Sequence, residues 1–172
     1  MLPKQFINQV FVNELGIIKD SNPYISFAIM AIGIEFLGKC LDMERQDWNA
    51  SGKSQFHFEL AVNNLNSLKV YRQYLSSHKL WDSLRNGFAH SFVPKRTLSL
   101  SSKNEAPHLY ISINGLTLNL KCEEFYEDFK KACLEVINQK FDDPNDKMNK
   151  DLLSVPQEQV YDPIQQRVSG SA

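Results

Sequence analysis

Residues 23–42 constrain the fold more than any other stretch. Tyr24, Ile25, Phe27, Ile29, Met30, Ile32, Ile34, Phe36 and Leu37 leave almost no polar side to a helix drawn through them. A helix that is apolar all round is buried, either in a helical bundle or in a membrane. Glu35 and Lys39 interrupt the run well short of the ~20 apolar residues that a span needs. The stretch therefore predicts the central helix of a bundle and no membrane association. Asn22 as N-cap and Pro23 at the first helical position mark its start. A carboxylate buried in such a helix needs a partner. Arg85 and Lys39 are candidates for Glu35, and a rim position near the helix end is the simpler expectation.

The remaining elements assemble around that helix. Phe6, Ile7, Val10, Phe11, Leu15 and Ile18 repeat at helical spacing over 4–19. A polar loop spans 43–53; its Asn49-Ala50-Ser51 matches a glycosylation acceptor, though nothing else in the chain suggests secretion. Ser54 is placed to open a third helix through Phe58, Ala61, Val62, Leu65 and Leu68. Asn63, Asn64, Asn66 and Ser67 mark a break in it. A fourth helix runs from about Ser77 to Phe92, where Pro94 stops it.

Beyond it the period changes from helical to alternating. Thr97 to Ser101 alternates, and Asn114-Gly115 sits between the apolar runs His108–Ile113 and Leu116–Leu120, a strong hairpin signal. A small antiparallel sheet, a hairpin or three strands, is thus expected at about 97–120. The last helix follows over about 122–140, with Phe125, Phe129, Ala132, Cys133, Val136 and Ile137 in register. The reading is a mainly α domain over 1–142 and a polar, Pro-punctuated tail over 143–172, extended or disordered.

Charge excludes some functions. A net charge of -1 and a pI of about 6.4 do not suit a globally basic nucleic-acid binder. The distribution is uneven, however. Between Arg72 and Arg96 there are five Lys/Arg against one acid, whereas from Glu123 onward eleven acids face six Lys/Arg. Three scattered cysteines, Cys40, Cys122 and Cys133, point to a reducing compartment without a disulfide framework. The first residues lack a basic stretch followed by an apolar run, so a cytoplasmic location is expected. His57, His78 and His108 have no partner at ligand spacing. No Gly-rich phosphate loop or nucleophile elbow is present either, so neither metal nor cofactor is expected. The many Phe and Tyr residues fall at helical spacing, which assigns them to the core rather than to a base-stacking surface.

The richest chemistry lies in Leu84-Arg85-Asn86-Gly87-Phe88-Ala89-His90-Ser91-Phe92. At about 100° per residue, Leu84, Phe88 and Phe92, with Trp81 alongside, form one apolar arc. Asp82, Arg85, Asn86, Ala89 and His90 fall on the other side. Asn86 and His90, four apart, share a stripe, and Arg85 stands one step round. A cation, an amide and an imidazole then project from a helix anchored on its other face, which suits an anionic ligand. Asp82 is placed to pair with Arg85 or Asn86 and stabilise the helix. Lys95 and Arg96 follow directly and are candidates for RNA-backbone contact.

Arg85-Asn86-Gly87-Phe88-Ala89-His90, Arg and His separated by four residues on an amphipathic helix, resembles the signature of HEPN domains. The resemblance covers roughly residues 1–140. It implies a compact helical bundle and, for many members, a metal-independent endoribonuclease of defence, toxin-antitoxin or RNA-processing systems. Arg85, Asn86 and His90 would be the catalytic residues. With one motif per chain, it also implies a homodimer or a second HEPN partner, RNA as substrate, and an antitoxin or other protein partner. Non-catalytic members supply the alternative: a protein-interaction module, or an RNA- or nucleotide-binding one, using the same surface.

Overall fold

The computed structural model describes residues 1–44, 48, 52–103 and 105–152. The chain is mainly helical with one small sheet. The N-terminal helix, α1, runs through Pro3–Phe6, Ile7–Glu14 and Leu15–Ile18; its middle piece has the wider π turn. Helix α2 is Pro23–Leu41 and α3 is Ser54–Asn64. A 3-10 turn at Asn66–Tyr71 leads into α4, Arg72–Ser77. Helix α5 combines a π segment, Trp81–Asn86, with an α segment, Gly87–Ser91. Strands β1 (Leu98–Ser101), β2 (Tyr110–Ile111) and β3 (Leu118–Lys121) precede α6, Cys122–Asn138.

Helix α2 is the centre of the molecule, as its apolar sequence predicts. Phe27, Met30, Ala31, Ile34 and Leu37 are essentially inaccessible, and α1, α3, α5 and α6 all pack on it. By length and hydropathy α2 would suffice to cross a membrane. Protein side chains bury most of it, while Tyr24, Ile25 and Ile32 stay exposed. Asn22 and Pro23 do open the helix: the Asn22 carbonyl accepts Ser26 N–H. Helix α6 buries its predicted stripe, Phe125, Phe129, Ala132, Cys133 and Val136. The break foreseen after Asn63 falls at Leu65, which takes extended backbone angles. Glu135 of α6 then caps the following turn from outside, accepting N–H from Asn66 and Ser67 at 2.8 Å each.

The sheet corrects one expectation. It is mixed, in the order β1-β3-β2, with β1 parallel to β3 and β2 antiparallel to it. The hairpin expected around Asn114-Gly115 forms, with Ile111 opposite Leu118 and Gly115 at φ +71°. Strand order follows burial. Leu118, Asn119 and Leu120 of β3 are all buried and need neighbours on both sides, whereas Tyr110 and Ile111 of β2 are exposed at an edge. The chain must therefore pass from β1 across to the far edge before returning through the middle.

The stretch from 143 packs onto the body rather than trailing from it, as far as Leu152. Lys147, only 3% exposed, donates to the Asp42 carbonyl at the end of α2 at 2.5 Å. Leu152 N–H donates to the Met1 carbonyl. The rest of the tail, 153–172, and the Asn49-Ala50-Ser51 motif lie outside the described residues.

A half-buried histidine makes stability depend on pH. Lys121 N–H donates to His108 Nδ1 at 3.0 Å, so His108 carries its proton on Nε2 and donates it to Tyr71 Oη at 2.9 Å. Tyr71 in turn donates to Asp128 at 2.8 Å. Burial pushes the His108 pKa below its ordinary value, against the opposing pull of Asp128 and Glu124. Between the folded and unfolded values the unfolded state binds more protons, so stability falls with falling pH. The contribution is complete above about pH 6.5 and disappears as pH drops through the folded value. His108→Asn, whose amide oxygen can still accept from Lys121, is expected to flatten the urea midpoint between about pH 7.5 and pH 5. An unchanged slope would place the titration elsewhere.

Candidate functional site

The motif helix starts later than its periodicity suggests. Lys79 takes a left-handed φ of +48° and separates α4 from α5, so Ser77 belongs to the preceding helix. The first segment of α5 is wound with i to i−5 hydrogen bonds, among them Gly87 N–H to the Asp82 carbonyl. The extra residue in that turn shifts residues 81–86 around the axis relative to 87–91. Leu84 and Phe88 stay in the core, and Trp81 is half-buried.

Arg85 faces α2. Its Nε forms an ion pair with Oε2 of Glu35, while its outer guanidinium nitrogens have no hydrogen bond among the described residues. Glu35 is 6% exposed, which overturns the expected rim position. Ser54 Oγ donates to the same Oε2 at 2.7 Å, and Lys39 Nζ lies 3.6 Å from Oε1. Trp81 Nε1 donates to Ser54 Oγ at 3.3 Å. The carboxylate is thus compensated on each side, as a buried charge requires. The one carboxylate in an otherwise apolar helix was the available signal. Ser54 and Trp81 carried none.

Asn86 and Lys95 meet at a second carboxylate. Asp82 Oδ1 accepts Asn86 Nδ2 at 2.9 Å and Lys95 Nζ at 2.6 Å. These two hydrogen bonds, Lys95 foremost, hold the Asp82 carboxyl below its usual pKa range. Lys95 reaches this position because the chain after α5 folds back along the helix. Lys95 N–H donates to the Ser83 carbonyl at 2.9 Å, and Ser83 Oγ and Thr97 Oγ1 both bond to the His78 carbonyl.

Gly87 is what permits the fold-back. A Cβ there would stand 2.7 Å from the Val93 carbonyl oxygen and 3.2 Å from Pro94 Cα. Gly87→Ala is expected to cost about 1–3 kcal/mol by overpacking and to loosen Lys95 from Asp82. Its urea midpoint should fall; a midpoint equal to wild type would mean the loop moves aside freely.

His90 is exposed on the last turn and has no hydrogen bond or ion pair among the described residues. Arg96 is likewise exposed and unpaired. Of the sequence candidates, then, Asn86 and Lys95 converge, Arg85 is directed to Glu35, and among the described residues no side-chain hydrogen bond or ion pair joins either group to His90. Phe92 leaves the apolar arc altogether and is 57% exposed. Chemically, the surface offers an exposed imidazole, a guanidinium oriented through one nitrogen, and an exposed cation in Arg96.

Elsewhere, a groove of about 380 Å³ is lined by Met1, Phe6, Phe11, Ile29, Ile32, Phe36 and Leu152. Its lining is apolar and shares no residue with the motif; the amine of Met1 is held by Asp151 at 2.7 Å. No cluster of three or more His, Cys, Asp or Glu suited to a metal occurs among the described residues. The three cysteines are buried and free. No protein-family model, curated protein or solved structure matches the chain.

Proposed function

We propose that this chain is a HEPN-like, metal-independent endoribonuclease that acts through an Arg85/His90 site completed by a second copy. The observation that carries the reading is the state of His90. Among the described residues its imidazole has no partner, and it shares a short helix with an arginine whose outer nitrogens have none either. The 2′-hydroxyl attacks the adjacent phosphorus, the 5′-oxygen leaves, and a 2′,3′-cyclic phosphate remains. His90 suits the proton transfers, since an imidazole can both take up and give back a proton. Glu35 holds Arg85 by Nε and leaves its outer N–H groups for the phosphoryl oxygens, where negative charge accumulates. Asn86, fixed by Asp82, adds a polar group beside them. One imidazole makes one transfer at a time, so base and acid call for two copies of His90 facing one cleft.

One observation favours a second reading, a non-catalytic binding module. Arg85 and Asn86 are both engaged within their own subunit, which a purely structural role would also produce. Subunit mixing separates the two. An equal, co-refolded mixture of wild type and His90→Ala should cleave at about one quarter of the wild-type rate if each two-fold cleft needs both imidazoles. About one half would mean that each subunit acts alone. A monomer by light scattering at micromolar concentrations would overturn the shared cleft, and an inert wild type would leave the binding module.

A further inference from the structure

We infer that Phe92, backed by Tyr24 and Phe88, is a stacking platform for an unpaired base of an RNA whose phosphate lies at Arg85 and His90. The inference rests on the nuclease reading and names a contact that reading does not require.

Phe92 closes α5 in the left-handed region, with φ +55° and ψ +21°. For a bulky side chain this is an outlier, and such strain persists where surrounding contacts enforce it. The contacts are present. Tyr24 Oη donates to the Phe92 carbonyl at 2.7 Å, and Phe92 N–H donates to the Phe88 carbonyl at 3.2 Å. The conformation swings the ring out of the core, where helical spacing would have kept it. The ring is not loose on the surface, however. Phe88 meets it nearly perpendicular at a centroid distance of 6.1 Å, and Tyr24 lies tilted against it at 6.2 Å. Tyr24, itself 41% exposed, continues the aromatic surface.

The charges around this surface select the occupant. Arg85, Lys95 and Arg96 belong to the one basic stretch of the chain, and His90 precedes Phe92 by two residues. Two residues span at most about 7 Å of backbone, so a nucleotide next to the cleaved one lies within reach. Single-stranded bases stack on exposed aromatic faces without base-edge hydrogen bonds, while cations of the same stretch follow the backbone.

The test uses the full chain and 2′-O-methyl oligonucleotides, which lack the attacking hydroxyl, with binding read by fluorescence anisotropy. Phe92→Gly removes the ring and relieves the left-handed strain, so the fold should persist with an equal or higher melting temperature. Affinity should fall about 5- to 150-fold, the range for losing one stacked base. Phe92→Trp should retain affinity. Replacing one nucleotide at a time by an abasic residue should find a position that weakens wild type comparably and has no further effect on Phe92→Gly.

Wild-type affinity in Phe92→Leu, or the absence of any abasic position coupled to Phe92, overturns the platform. Loss of the dimer in Phe92→Gly also overturns it, by assigning the ring to a protein interface. If wild type cleaves through His90 while Phe92→Gly binds as before, the platform alone fails. If wild type neither binds nor cleaves RNA, the nuclease reading fails and the platform with it.

Discussion

His90→Ala is expected to lower the rate of RNA cleavage by about 100- to 10,000-fold, the usual cost of losing a general acid or base. The melting temperature should hardly move, because the imidazole is exposed and has no hydrogen bond or ion pair among the described residues. Exposed substitutions of this kind stay within about ±0.5 kcal/mol. Rate and stability are therefore separable at this position. Arg85→Ala is a poorer probe, although helical spacing alone would place Arg85 on an open polar face. Removing it leaves the buried Glu35 with only Lys39 and Ser54, and breaking a buried pair costs up to about 3–5 kcal/mol. Arg85→Lys keeps the charge but not the planar fork, so it tests phosphate recognition with less damage to the fold. Equal cleavage by wild type and His90→Ala would remove His90 from the site.

The largest structural effect should come from Gly38→Ala. Helices α2 and α3 cross so closely there that a Cβ would stand 1.7 Å from the His57 carbonyl oxygen and 2.5 Å from its carbon. Both atoms are backbone, so no side-chain rotation relieves the clash, and the helices must separate. The cost should reach or exceed the roughly 3 kcal/mol at the upper end of ordinary overpacking. In a chain of this size that corresponds to a drop of about 6–12 °C in melting temperature, readable by circular dichroism. An unchanged melting temperature would show that the α2–α3 crossing is looser than its geometry indicates.

Local patterns were legible in the sequence, and pairings between distant segments were not. Helix α2 declared itself through its apolar run and the Asn22-Pro23 start. The hairpin declared itself through Asn114-Gly115 between its apolar runs. Yet the parallel pairing of β1 with β3 depends on the route the chain takes through 102–109, which no period of two reveals. Lys147 illustrates the same limit. It sits in a Pro- and Asp-punctuated stretch without periodicity, and its reach to the Asp42 carbonyl, a contact 105 positions away, is invisible to any local pattern.

At the candidate site, the sequence offered Arg85 both as a partner for Glu35 and as part of an open polar face, and spacing alone could not choose between them. The π turn at 81–86 alters angles that a uniform 100° step assumes. Phe92 was assigned to the core because spacing cannot foresee a left-handed residue, and the Tyr24 hydroxyl that holds its carbonyl comes from a helix 68 positions away in sequence.

The most direct measurement of the nuclease account is the chemistry of the RNA ends. Purified full-length protein is incubated with a mixed RNA pool in excess EDTA, and the termini of the fragments are analysed. The account predicts fragments with 2′,3′-cyclic phosphate and 5′-hydroxyl ends, formed without metal and missing when His90 is alanine. Fragments with 3′-hydroxyl and 5′-phosphate ends, or no cleavage of any RNA, would contradict it.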